Sequence, residues 1–402
     1  MGLITTVRAR KIYDARGNGT VEVDLILDDG SVGRGSVPAG ASTGSHEAKR
    51  VDNIDQAVTN AQTLGQSLIG QDPSIQEKID IILLEADGSP DKSNLGANAI
   101  LPLSLAACDA AAKSQHIPLY QHIHQTAKLS SPMRLPTPMF NVINGGKHSD
   151  NNLQIQEFML VPTEQEQTFA QKMALGTEIF HALKKVLHQM GHTTSVGDEG
   201  GFAPRLNSNE EALQVLVQTI QQTRYQPGRD VTLAMDVAAS SIPDLNAVTY
   251  PLDAFGYYQR LIDTYPISSI EDPLPEDDWQ GWSKLTAAIG NRVYIVGDDL
   301  YTTNPDRLKT GIERAASNAI IVKPDQIGTL TETYQTLRLA EQNRLITMIS
   351  HRSGETESSF IADLAVGVGA AFIKTGAPSR GERVAKYNQL LRIEAELQPT
   401  VS

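Results

Sequence analysis

VTLAMD (231–236), SSIED (268–272), VYIVGDD (293–299), AIIVKPD (319–325), LITMISHR (345–352) and AFIKTG (371–376) are six short apolar runs, each ending on a charged or metal-binding side chain. The end residues are Asp236, Glu271, Asp298, Lys323, His351 with Arg352, and Lys374, spaced 23 to 35 positions apart. Each run has strand length, and each gap holds a loop plus one helix, so the stretch reads as six successive βα units. In a β/α barrel the carboxyl ends of the strands converge on one mouth. The pattern therefore predicts three carboxylates, two lysines, a histidine and an arginine in one cleft. For any single run the charged residue could merely mark where a strand stops; six in succession make that reading poor.

Upstream, PTPMFNVINGG (136–146) and LQIQEFMLVP (153–162) read as two more strands joined by a short link with Gly145, Gly146 and His148. A short link means antiparallel pairing. If the first strand runs toward the mouth, the second starts there, which explains polar Gln156 and Glu157 at its beginning. Helical patterns follow at about 164–190 and 208–224, separated by SVGDEGGFAP (195–204). The expected fold is α/β: a C-terminal TIM-type barrel opening ββαα and continuing with six βα units, preceded by a smaller α+β domain. The proline-rich stretch SSPMRLPTP (130–138) marks the boundary, giving domains 1–131 and 132–402. Residues 3–36 read as a small antiparallel sheet, and helical patterns run from about 53 to 127. Between them VPAGASTGSHEA (37–48), rich in small residues, is either a plain linker or a mobile loop over a site, at 37–46.

Length and composition agree. The 402 residues accommodate a barrel of roughly 250 plus a second domain. A net charge of −13 argues against a nucleic-acid surface. No run of 18 apolar residues exists to span a membrane, and the first residues lack the apolar core of a signal peptide. The single cysteine, Cys108, excludes an internal disulfide and suits a reducing compartment. Gly2 with Thr6 fits a myristoylation pattern, but the same residues open the first strand; the sequon at Asn18 means nothing without secretion.

Asp236, Glu271 and Asp298 offer hard oxygen ligands suited to Mg²⁺. A salt bridge to a neighbouring lysine is the alternative for any one of them. Lys323 and Lys374 end strands in the same mouth, and a lysine beside other cations has its neutral form favoured and can act as a general base. Glu199 lies in GDEGG, whose glycines let the backbone approach a ligand, and Glu157 lies across the mouth. Base on one side, acid on the other and metal between suit removal of a proton next to a carboxylate and expulsion of a β-hydroxyl. His351, Arg352 and Ser353 supply a fork donor and a hydroxyl shaped for phosphate, or else an ion pair with Glu355.

Longer motifs run nearly end to end: DARGNGTVEVD, AGASTG, LGANAIL, NVINGG, IQEFM, VGDEGGFAP, KPDQIGTLTET, SHRSGET and ERVAKYNQLLRIE. On these the chain resembles the enolase (phosphopyruvate hydratase) family. The resemblance implies reversible dehydration of 2-phospho-D-glycerate to phosphoenolpyruvate in glycolysis and gluconeogenesis, in the cytoplasm. It implies Lys323 as base, Glu199 as acid and Glu157 as its assistant. It implies Asp236, Glu271 and Asp298 as ligands of the tighter of two Mg²⁺ ions. Gln156, His148, Lys323, His351, Arg352, Ser353 and Lys374 are the implied contacts to a small phosphorylated carboxylate. AGASTG is the implied closing loop that brings in the second Mg²⁺. A homodimer, or an octamer built from dimers, is the implied assembly, and a secondary presence at the cell surface follows from the resemblance only.

The chain departs from the family pattern in places. Ala39 replaces a loop serine, removing a hydroxyl ligand for the second metal, although Ser42 and Thr43 remain nearby. Gly19 replaces a proline and is expected to loosen its turn. Asp325 replaces an asparagine and, pointed at Lys323, would raise that lysine's pKa. Two other readings compete with the active lyase. One is a binding protein with weakened catalysis, but the chemical residues are retained and the QPTVS end lacks lysines. The other is an enzyme enolising other carboxylates, which the phosphate-type contacts disfavour.

Overall fold

A computed structural model describes residues 2–41, 43–163, 167–249 and 252–397. Strands β1 (Ile4–Tyr13), β2 (Gly19–Leu27) and β3 (Val32–Ser36) form an antiparallel sheet in that order. Alternation along β2 sends Val21, Val23 and Leu25 into a core, while Glu22 and Asp24 on the other face gather Arg10 and Arg34. Helices α1 (Ile54–Gln66), α2 (Gln76–Asp87), α3 (Ala97–Ser114) and α4 (Leu119–Ala127) follow. Alanine-rich α3 lies so close to β3 that a Cβ on Gly33 would stand 2.1 Å from the Ala106 carbonyl oxygen. Cys108 is fully buried on α3, and burial pushes its thiol pKa up, so it is inert.

Gly19 does not loosen a turn. It opens β2 opposite Tyr13, and the turn before it is held by Asp14 Oδ1, which accepts from the Arg16 and Asn18 amides at 2.9 and 2.8 Å.

The second unit is a closed eight-stranded barrel. Its strands are β4 (Thr137–Asn144), β5 (Glu157–Pro162), β6 (Val231–Asp236), β7 (Ile267–Glu271), β8 (Tyr294–Gly297), β9 (Ala319–Val322), β10 (Ile346–Ser350) and β11 (Phe372–Lys374). They neighbour one another in chain order, and β11 closes on β4. β5 is antiparallel to both β4 and β6, and the other pairings are parallel. After β5 come α5 (Phe169–Gln189) and α6 (Asn209–Gln221), completing the ββαα opening. The six βα units then use α8 (Ala254–Thr264) after a short α7 (Leu245–Thr249), α9 (Trp279–Ile289) and α10 (Pro305–Glu313). They end with α12 (Leu330–Gln342) after a single-turn α11 (Pro324–Ile327), α13 (Phe360–Gly367) and α14 (Gly381–Leu397).

The barrel interior is layered by the period of two. Met159, Ala234, Val296 and Ile321 form an apolar floor, each two residues before or after a polar rim residue: Glu157, Asp236, Asp298 and Lys323. Strand register sets Glu157 opposite Asp236, and Asp236 opposite Glu271.

The two units are joined at the start of α12. Asp80 of α2 accepts from the Thr331 amide and hydroxyl at 2.8 and 2.6 Å, and Ser104 of α3 accepts from the Leu330 amide at 3.0 Å. The joint satisfies the exposed amides of a helix start with a carboxylate from the other unit. Asp80 is fully buried, and burial pushes its pKa up to about 6. The folded form therefore holds the proton more tightly than the unfolded chain does. The stability this contributes is complete below the unfolded value of 3.8 and lost as pH rises through about 6. Relative to the parent, Asp80→Asn should gain on the order of 3 kcal/mol in unfolding free energy between pH 4 and pH 7. Urea titrations at the two pH values check this; a difference that does not change with pH would mean Asp80 is ionised throughout.

Candidate active site

The rim row is neutralised by one lysine. Lys374 Nζ lies 3.2 Å from Glu157 Oε1, 3.0 Å from Asp236 Oδ2 and 2.8 Å from Glu271 Oε2, all four side chains being buried. Burial alone would depress the lysine; Asp236, Glu157 and Glu271 outweigh it and hold Lys374 well above its usual value. One ammonium does not balance three carboxylates, so burial and the neighbouring Asp236 push Glu271 well up.

A quarter-turn around the mouth, Lys323 Nζ meets Asp298 Oδ2 at 2.5 Å, and Gln326 Nε2 donates to the other Asp298 oxygen at 2.9 Å. Asp298 holds Lys323 above its usual value against the cost of burial. The expectation that neighbouring cations favour the neutral lysine is thus reversed in this arrangement. Asp325 does not cause it. Its carboxylate turns to Arg352 Nη1 at 2.8 Å, with Arg50 at 4.0 Å.

The opposite wall carries the acids. Glu199 Oε2 accepts from Asn141 Nδ2 at 2.8 Å and lies 3.2 Å from His351 Nε2. His148 Nδ1 stands between Glu199 and Glu157, at 3.5 and 3.6 Å. Burial pushes Glu157 well up, and the charge of Glu199 adds to it. Burial would do the same to Glu199, but His351 and His148 hold it well below. The two neighbouring carboxyls are thus pushed in opposite directions, Glu157 toward its protonated form and Glu199 toward its ionised form.

The loop after β3 is docked onto the rim. Ala39 and Gly354 exchange backbone hydrogen bonds at 2.8 Å, and the Ala41 amide donates to Ser353 Oγ at 2.6 Å. Glu47 grips Arg352 through both guanidinium nitrogens, at 3.0 and 3.1 Å. The Ala39 carbonyl also accepts from Arg16 at 3.1 Å. Ser42 falls outside the described residues.

A tight cleft opens between these groups. It is lined by Gly40, Glu157, Glu199 and Asp236, with all seven residues expected to touch a ligand: His148, Gln156, Lys323, His351, Arg352, Ser353 and Lys374. Glu271 and Asp298 are not among the lining residues. The expected metal trio is not gathered on itself: Asp236 and Glu271 face Lys374, and Asp298 faces Lys323. Among the described residues the groups with ligand atoms within 4.8 Å of one another are His148–Glu157–Glu199, Asp272–Asp298–Asp299 and the more exposed His46–Glu276–Asp277. The donor chemistry of Asp236, Glu271 and Asp298 nevertheless fits a hard divalent cation. All are carboxylates on neighbouring strand ends, and beside Asp236 the buried Gln156 Oε1 has no hydrogen-bond partner among the described residues.

Several residues of this site escaped the sequence reading. Asn141 was visible as a polar break in an apolar strand. Asp272 accepts the Asp298 and Asp299 amides at 2.9 and 2.8 Å and so orients Asp298. Gln326 and Glu47 sit inside quoted motifs without having been singled out. Arg383, on α14, is fully buried and donates to the backbone of Asp198, Arg352 and Ser353.

Compared with models of known protein families, residues 4–123 match the one described as Enolase, N-terminal domain, and residues 132–402 the one described as Enolase, C-terminal TIM barrel domain.

Removing Lys374 leaves buried carboxylates without their counter-charge. Lys374→Met should destabilise the protein by about 3–5 kcal/mol, seen as a lower urea midpoint in buffer without divalent cation. An unmoved midpoint would show that the carboxylates are not neutralised by Lys374.

Proposed function

The chain belongs to the enolase family, and from that premise we propose that it is a Mg²⁺-dependent phosphopyruvate hydratase, interconverting 2-phospho-D-glycerate and phosphoenolpyruvate with water. Family membership makes it an enzyme of the enolase superfamily, a lyase. The observation that carries the finer reading is the cleft itself: Lys323 at the end of β9 and Glu157 at the start of β5 come from strands four places apart in a ring of eight. A carbon acid between them meets a lysine on one side and a carboxyl pair on the other.

In this reading Lys323 Nζ takes the proton from the carbon next to the substrate carboxylate. Glu199, assisted by Glu157, protonates the departing hydroxyl. His148 stands between the two carboxyls, and the environment favours the protonated form of Glu157 over that of Glu199. Acid–base help of this kind contributes roughly 10²–10⁴-fold, too little for so weak a carbon acid. Asp236, Glu271 and Asp298 would hold Mg²⁺, which would supply positive charge to stabilise the enolate; with those carboxylates so engaged, Lys374 and Lys323 would lose their present partners. Arg352, Ser353, His351 and Lys374 receive the phosphate and carboxylate, and Gln156 and His148 orient the rest.

A second Mg²⁺ would draw on the loop after β3 for ligands. Ala39 offers it only a backbone oxygen, which already accepts from Gly354 and Arg16. Residues 1–131 then form the loop-bearing domain and 132–402 the catalytic barrel. The enzyme acts in cytoplasmic glycolysis and gluconeogenesis as a homodimer or an octamer built from dimers. Among the described residues no helix is long and apolar enough to cross a membrane.

Turnover of 2-phosphoglycerate, followed by ultraviolet absorbance of the enol phosphate across a Mg²⁺ titration, tests the reading. Activity that requires Mg²⁺ is expected, with a high half-saturation reflecting Ala39; folded protein without activity at any Mg²⁺ would leave a binding role as the better account. Lys323→Ala leaves buried Asp298 without its ammonium and should lower the urea midpoint; in protein that is still folded at zero urea, turnover should fall by several orders of magnitude, and near-normal turnover would remove Lys323 as the base.

A further inference from the structure

Arg383 reaches the site from α14 with no exposed surface, and its guanidinium meets His351 Nδ1 at 2.6 Å. A guanidinium has five donors and no acceptor. The Nδ1 it faces must therefore present a lone pair, and a neutral imidazole with that lone pair carries its proton on Nε2. We infer that Arg383 is a positioning residue that fixes His351 as the neutral Nε2–H tautomer, so that the imidazole can only donate toward Glu199.

The rest of the geometry agrees. Arg383 is immobilised by three further acceptors: the carbonyl oxygens of Arg352 at 2.6 Å, Asp198 at 3.0 Å, and Ser353. These carbonyls belong to the two loops that carry His351 and Glu199, so one side chain sets their separation. His351 Nε2 stands 3.2 Å from Glu199 Oε2, bent away from a well-aligned hydrogen bond, with no other side-chain partner among the described residues. The charged groups around the imidazole are Glu199, Arg383 and Glu355, and Glu355 is itself paired with Lys386 at 2.7 Å. Two carboxylates would draw a proton onto the ring; burial and Arg383 oppose them, and the pKa of His351 falls to about 4.

The tautomer matters for the acid. The opposite one, with hydrogen on Nδ1, would put a basic lone pair 3.2 Å from Glu199. That lone pair would compete for the proton Glu199 must deliver. With the lone pair turned to Arg383, His351 cannot accept the acid's proton. This consequence rests on Glu199 being the acid; the tautomer itself does not.

Nitrogen-15 NMR of histidine-labelled protein reads the tautomer directly, with His351→Gln used to identify the resonances. The expected spectrum has Nδ1 in the unprotonated region and Nε2 in the protonated region, unchanged from pH 8 to pH 5. An Nδ1–H form, or an imidazolium appearing near pH 6, overturns the inference. Arg383→Met removes both donor and charge. In that variant His351 should titrate nearer the ordinary histidine value of about 6.5, and the acid limb of kcat/KM should move up toward it. A folded Arg383→Met protein whose limb stays with the parent's overturns the inference. If the variant does not fold, the parent's spectrum decides alone. If the parent does not turn over 2-phosphoglycerate, the proposed reaction fails while the tautomer is still read.

Discussion

The ammonium of Lys374 among Glu157, Asp236 and Glu271 is the contact on which the mouth of the barrel depends. Three carboxylates buried in one row would repel one another and pay heavily for lost hydration. They stand in one row because register aligns β5, β6 and β7, and register is fixed by the apolar floor two residues below. The charge that reconciles them arrives from β11, across the closure of the barrel. Packing thus dictates where charge must accumulate, and chain closure delivers the compensation.

The same economy of charge governs the loop after β3. Arg352 is shared between Glu47 of the loop and Asp325 of the barrel, and Arg50 stands 4.0 Å from Asp325. Two cations and two anions balance there in a largely buried setting. Docking of the loop and orientation of the arginine are therefore one event. An incoming anion meets a guanidinium already aligned, and must share it with carboxylates that hold it in place.

The fold was legible because each strand announces its end. A floor of apolar residues followed by a charged rim residue is a pattern of period two that needs no tertiary knowledge. Even the reversed β5 was readable from polar Gln156 and Glu157 at its start. What spacing could not supply was direction. Asp325, two positions from Lys323, sends its carboxylate to Arg352, since α11 begins between them and turns the chain. The partner that raises Lys323 comes instead from the neighbouring strand end, Asp298. Arg383 was hidden for a related reason. Helical periodicity shows that α14 has a buried face, but not that this face meets two loops rather than other helices. Gly19 was misjudged because the bend it was assigned to is closed by Asp14, and the glycine belongs to the strand that follows.

The reversal of β5 has a consequence for how such a site can change. Every other rim residue is followed by its loop, so loop length can vary after the strand without moving the side chain. Glu157 is preceded by its loop, and its partner His148 lies inside that loop. Insertions between residues 145 and 156 would act on the His148, Glu157 and Glu199 cluster before the barrel could buffer them. Evolution or a protein engineer seeking new substrates is therefore freer with the connection after β6, which contributes nothing to the cleft lining, than with this one.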